Sequence, residues 1–411
     1  MSMNRTDSRM EEQLQSQEFI QDPYPIYRRL RETEPVYWSD AWHCWLLTRY
    51  ADVAAILKEP ARFSSAGRLA GLIDQLLPDQ RPRYQPMRDH FSRGLIHADP
   101  PDHTRLRKLI GIAFTPRIIE GLRDRVHDII AQNLPARSGV GTMEVMHDLA
   151  FPLPTIVIAE MLGAPPEDRD KFKEWTTGIV AFQGTGRPKA EMMDYSQESL
   201  LQMRAYVRSL CAQRRLQPRQ DLLSLLVAAE DAGDKLTEDE LVGTCVTLFV
   251  AGHETTTGLI GNVVAALLGH PDQLEMVRAS PLRMAEAIEE TLRWNNSVQR
   301  VFRRVTQDTE FAGRQMRKDQ IVVGFIGGAN RDPEVFAEPE RFDISRRGNR
   351  HISFGSGVHF CLGAPLARLE APLAVSMLLR EFPDLHLAQD TIDWLGGGLF
   401  RYPKKLPLAL R

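Results

Sequence analysis

Four short stretches carry side chains whose types and spacing suit chemistry. The first is FGSGVHFCLGAPLAR, residues 354–368, where Cys361 follows a glycine-rich turn and precedes a helical pattern. A cysteine beside a helix N-terminus meets partial positive charge and unpaired N–H groups, and both favour the thiolate. Gly355, Gly357 and Gly363 let the backbone approach something flat and bulky. The competing reading is a small buried residue at a turn. The second stretch is AGHETT, residues 251–256. Gly252, Glu254 and the hydroxyls of Thr255, Thr256 and Thr257 interrupt an otherwise apolar helix. A buried acid and alcohol need a polar reason. A hydroxyl both donates and accepts, and a carboxyl exchanges protons with solvent. Zinc-protease chemistry is excluded, because HExxH would need histidine where Thr257 stands. The third is Glu290 and Arg293, which share a helix face at i,i+3, a spacing also common in surface ion pairs. The fourth is DPPDHTRLR, residues 99–107, where His103 and Arg107 present a cationic face to an anion or to solvent. GSGVHF begins like a dinucleotide turn, but Phe360 stands where the third glycine belongs.

Jointly, in this order, the stretches resemble the cytochrome P450 monooxygenases of the soluble bacterial type. The family's haem signature, Phe-x-x-Gly-x-x-x-Cys-x-Gly, is filled by Phe354, Gly357, Cys361 and Gly363, with His359 at the family's frequent histidine. Glu254 and Thr255 match the acid–alcohol pair of the oxygen-activating helix. The resemblance runs from about residue 20 to about residue 405. It implies the P450 fold: mainly α with a small β-rich side, one large domain, and haem between the long central helix and the Cys-ligand helix. It implies Cys361 as the iron ligand of haem b. His103, Arg107 and Arg303 would bind the propionates, with His359 also at the cofactor. Arg303 lies five before Asp308, but Arg304 occupies a place more often apolar, so the choice between the two arginines stays open. Glu290 and Arg293 would form a buried triad with Arg341 of EPERFD, clamping the segment that delivers Cys361.

The activity so implied is insertion of one oxygen atom from O2 into a mid-sized hydrophobic molecule: a polyketide, terpenoid, steroid or fatty acid. The catalytic pair would be Glu254 and Thr255, relaying protons. Electrons would come from NAD(P)H through a ferredoxin or flavodoxin and its reductase. Arg346, Arg347, Arg350 and Arg368, with Arg105 and Lys108, are basic residues suited to an acidic carrier. Apolar candidates for the substrate pocket include Ile73, Ile179, Phe182, Val246, Val298 and Leu399. Three alternatives compete. A peroxide-driven peroxygenase needs no redox partner, and a non-catalytic haem protein needs no acid–alcohol pair. A thiol hydrolase using Cys361 and a histidine needs no haem.

These residues must be positioned by a mostly helical frame. Residues 1–20 read as a flexible tail and 21–411 as the haem domain. A helix is expected over 22–32, a hairpin from 36–39 and 44–49, and a helix over 50–58. Residues 59–98 lack clean periodicity and read as a binding loop or lid. The strongest helix signal runs from Thr237 to Pro271, opened by a Thr237/Glu240 capping box. Further helices are expected over 281–294 and 363–381, with short β runs over 298–326.

Composition agrees with this class. The 411 residues carry 51 basic and 54 acidic side chains, a net charge of −3, which argues against a nucleic-acid binder. Four scattered cysteines exclude a disulfide framework. The polar N-terminus has no apolar signal core and no run is long enough to span a membrane, so a cytoplasmic protein is expected; the resemblance further implies a place in secondary metabolism.

Overall fold

The computed structural model describes residues 8–112, 114–135, 141–183, 189–231 and 236–410. By internal packing the chain divides into two compact units. One holds the residues up to Phe63, Arg123–Leu153 and everything from Thr255 onward. The other holds Ser64–Leu122 and Pro154–Glu254. One of the boundaries, between Glu254 and Thr255, falls inside the longest helix.

That helix is Glu238–Gly269, 32 residues and so about 48 Å long. Its start is fixed as the capping box predicts: the Thr237 N–H donates to the Glu240 carboxylate at 2.8 Å, and the Glu240 N–H donates to the Thr237 hydroxyl at 3.2 Å. Its end coincides with Gly269, just before Pro271 opens the next helix.

In the first unit, the strands Val36–Ser39, Cys44–Leu47, Ile321–Phe325 and Arg300–Val305 lie side by side in that order. The hairpin pairs Val36 with Leu47 and Ser39 with Cys44. Residues 8–20, expected as a tail, are instead two helices, Ser8–Leu14 and Gln17–Gln21. Met10, Leu14 and Phe19 are buried against Tyr27, Leu46 and Phe325. The Glu11 carboxylate accepts hydrogen bonds from the hydroxyls of Tyr37 and Ser39 and from the N–H groups of Asp40 and Ala41, tying the segment to the hairpin turn. The polar character of the stretch hid three apolar anchors spaced for helix faces.

In the second unit, residues 64–98 also differ from the loop expected. They form helices Arg68–Asp74 and Gln85–Arg93, too short to show a period. Tyr84 donates to Asp194 at 2.7 Å, and Arg204 reaches His90 at 3.4 Å, so helix Ala190–Leu216 anchors them.

Candidate active site

Cys361 sits between the single turn Gly357–His359 and the helix Ala364–Glu381. Its N–H donates to the Phe354 carbonyl at 2.8 Å and closes the segment into a loop. The Gly355 N–H on Ile352 and the Phe360 N–H on Gly357 tighten it further. Gly355 and Gly357 have φ of 72° and 70°, where a Cβ is penalised. A Cβ at Gly357 would also stand 2.8 Å from the Leu57 carbonyl oxygen. Cys44, Cys211 and Cys245 are buried, whereas Cys361 is partly exposed. A Cβ at Gly363 would meet nothing nearer than the Cys361 sulfur, at 4.0 Å. Arg368 stacks on the Phe354 ring at 4.5 Å and interacts electrostatically with Cys361. A nearby cation favours a thiolate. This accessible sulfur, on a loop turned by glycines, would suit a thiolate ligand to the metal of a large planar cofactor.

A buried ion cluster fixes the approach to that loop. Arg293, fully buried, donates two hydrogen bonds to Glu290, at 2.9 and 2.8 Å. It also donates to the carbonyls of Asn330, Pro339 and Arg341. The second arginine on Glu290 is Arg346, at 3.2 Å, and not Arg341 as expected. Arg341 is exposed and faces Glu338 at 3.6 Å; it joins the cluster only through its carbonyl. From this cluster Asn330 passes the constraint on, accepting from the Ile352 N–H and donating to the Ser353 hydroxyl. Glu289, one residue from Glu290, binds Arg368 through both oxygens and His351 through one. Burial raises its pKa, but Arg368 and His351 outweigh that and bring it to about 2.

The long helix is buried over most of its length, yet Thr247, Ala251 and Thr255, spaced by four, keep accessible surface, as does Glu254. The acid–alcohol motif thus lies on this accessible line. Gly252 permits close approach: a Cβ there would lie 3.0 Å from Ile158. The Thr255 carbonyl accepts a hydrogen bond from the Ser297 hydroxyl at 2.9 Å. Ser297 was missed by sequence reasoning, since nothing in NNSVQ marks it. Thr256 and Thr257 are buried.

His103 is 1% exposed on helix Asp102–Gly111, one turn before Arg107. Burial, then the charge of Arg107, hold its pKa below the usual range against the opposing pull of Asp99. The strand Arg300–Val305 separates the two candidate arginines. Arg303 is buried and donates to the Phe302 carbonyl at 2.8 Å. Arg304 points to the other face and pairs with Asp319 at 2.7 Å. Of the apolar pocket candidates, Ile73, Ile179, Phe182 and Val246 are fully buried core residues, while Val298 and Leu399 keep accessible surface.

A mainly helical frame with small sheets, carrying an accessible cysteine loop on a buried ion cluster, defines a class that comparison makes specific. The family model described as Cytochrome P450 matches residues 72–280 and 281–394. Cytochrome P450 107B1 of Saccharopolyspora erythraea is 41% identical over 95% of this chain and 95% of its own length. The crystal structure of P450BioI in complex with an acyl carrier protein ligated to hexadec-9Z-enoic acid superposes with a TM-score of 0.87 at 38% identity, covering 96% of this chain and 100% of that one. The structure of myxobacterial CYP267B1 in complex with myristic acid gives 0.88 at 37% identity, covering 97% and 99%. The chain belongs to the cytochrome P450 family and is an oxidoreductase of the monooxygenase type. No helix among the described residues is long and apolar enough to cross a membrane.

Proposed function

We propose that this enzyme is a haem-thiolate monooxygenase that oxidises a mid-sized hydrophobic substrate, a long acyl chain first among the candidates. The observation that carries the reading is Cys361: of four cysteines it alone is accessible, and its loop is held by Phe354 and two left-handed glycines. Cys361 would hold the iron, with His359 in the same loop. His103, Arg107 and Arg303 would bind the propionates; the Arg304–Asp319 pair favours Arg303 in that role. When bound, haem would supply the activation of dioxygen, one atom of which enters a C–H bond or alkene while the other leaves as water with two electrons and two protons.

The remaining work belongs to the chain. Thr255 holds a proton at its hydroxyl and donates it on the open line of the long helix, and Glu254 exchanges protons between that hydroxyl and solvent. Its side chain, 16% exposed, suits a group that must reach both. The acyl-chain reading draws on the carrier-ligated hexadec-9Z-enoic acid and the myristic acid of the two similar structures. Electrons come from a separate carrier, an acidic ferredoxin or flavodoxin. Arg347 and Arg350 are exposed beside the cysteine segment and suit such a partner, whereas Arg346 is committed to Glu290.

The test is a spectral titration followed by turnover. Hexadecenoic acid, free or on an acyl carrier protein, should shift the haem absorption and be hydroxylated when a ferredoxin system supplies electrons. Faster turnover with peroxide alone would replace this reading with a peroxygenase, and a shift only with steroids would replace the substrate class.

A further inference from the structure

His253 lies between Gly252 and Glu254 and is 2% exposed. Its two ring nitrogens face fixed partners. Nδ1 is 2.8 Å from the Phe249 carbonyl oxygen, one turn back on the same helix. A carbonyl only accepts, so Nδ1 carries a hydrogen. Nε2 is 3.2 Å from the Thr176 hydroxyl and 3.3 Å from Glu254 Oε2. The Thr176 hydroxyl has a single proton, and at 2.6 Å the Phe172 carbonyl takes it. Toward Nε2 the threonine therefore presents a lone pair. A carboxylate does the same. With Glu254 ionised, two acceptors face Nε2, and a hydrogen on that nitrogen answers both.

We infer that His253 is an imidazolium that holds the Glu254 carboxylate and ties it to helix Arg169–Gln183 through Thr176. The proposal rests on the reading of Glu254 as a proton carrier and adds a residue that governs it. The surroundings suit a fixed clamp. Phe172 and Phe249 stack at 4.4 Å and 17° beside it, locking the two helices in register. In that apolar setting a charge-assisted pair is strong, and either charge alone is costly. While ionised, the carboxylate stays with His253. Once it gains a proton it loses the attraction and is released to turn toward its acceptor. His253 is thus a positioning residue, acting through Glu254.

The experiment labels the histidines with 15N in the reduced, carbon-monoxide-bound holoenzyme, which is diamagnetic, at neutral pH. Among eleven histidines, the His253 signals are those lost in His253→Leu. The expected result is both ring nitrogens protonated, with that signature lost in Glu254→Gln. Product formed per electron pair should fall at least threefold in His253→Leu, with the spectral Kd for substrate unmoved. A single protonated ring nitrogen in the wild type overturns the inference, even if every variant fails to fold. So does wild-type coupling in a folded His253→Leu. Failure of the underlying relay reading looks different: Glu254→Gln would couple as well as wild type, while the histidine signals would still report an imidazolium.

Discussion

At the scale of single residues, the sulfur of Cys361 and the hydroxyl of Thr255 separate cleanly in what they should do. Thr255→Ala leaves the cysteine loop intact, so the spectrum of the carbon-monoxide adduct is expected to be retained. What it removes is a proton donor, and general acid–base groups are typically worth 10²–10⁴ in rate. Product per electron pair should therefore drop by roughly tenfold or more, with peroxide released instead. Equal coupling in variant and wild type would defeat the relay assignment. Gly357→Ala tests the loop's geometry: a left-handed backbone and a 2.8 Å approach to Leu57 should together cost about 1–3 kcal/mol, read in urea unfolding. Residues of this kind were legible because their chemistry imposes spacing. Arg346 was not, because a buried arginine reaches its partner through a long side chain from irregular backbone. EPERFD and DISRR offer several arginines with no period to choose among them.

Among elements, the helix Met284–Trp294 carries three carboxylates, Glu286, Glu289 and Glu290, of which Glu290 is buried. Glu290, 1% exposed, meets Arg293, Arg346, Asn349 and the Asp343 N–H. Glu290→Gln should leave the buried Arg293 and the half-buried Arg346 without their counter-charge and cost about 3–5 kcal/mol. Thermal unfolding of variant and wild type checks this, and a shift within error would show the cluster to be dispensable. The long helix and the hairpin were readable from capping and alternation. The two N-terminal helices were not, since five to seven residues show no period and their stability comes from tertiary packing. Phe19 packs edge-on against Tyr27 and Trp42 at 5.8 and 6.1 Å. Phe19→Ala should cost about 3–5 kcal/mol, which a true tail residue would not.

For the whole molecule, buried titratable groups set the response to acid. His90 is 6% exposed, and burial, with Arg204 beside it, pushes its pKa down to about 3. Between its ordinary value of 6.5 and about 3 the unfolded chain binds a proton that the folded chain refuses. Stability must fall as pH drops through that window, by about 2 kcal/mol between pH 7 and pH 5 from this group alone. Glu289 acts lower. Its pKa is depressed from 4.5 to about 2, so its contribution is present above pH 4.5 and is lost as pH falls toward 2. Urea titrations at several pH values read both, and a His90→Phe variant with an undiminished loss between pH 7 and 5 would remove His90 as the cause.

The most direct measurement is the absorption spectrum of the reduced protein under carbon monoxide, for wild type and Cys361→Ala expressed with ample haem. Thiolate ligation through Cys361 predicts the long-wavelength band from which the family takes its name in the first, and its loss in the second. A wild-type spectrum typical of imidazole ligation, or an unchanged band without the cysteine, would contradict the account.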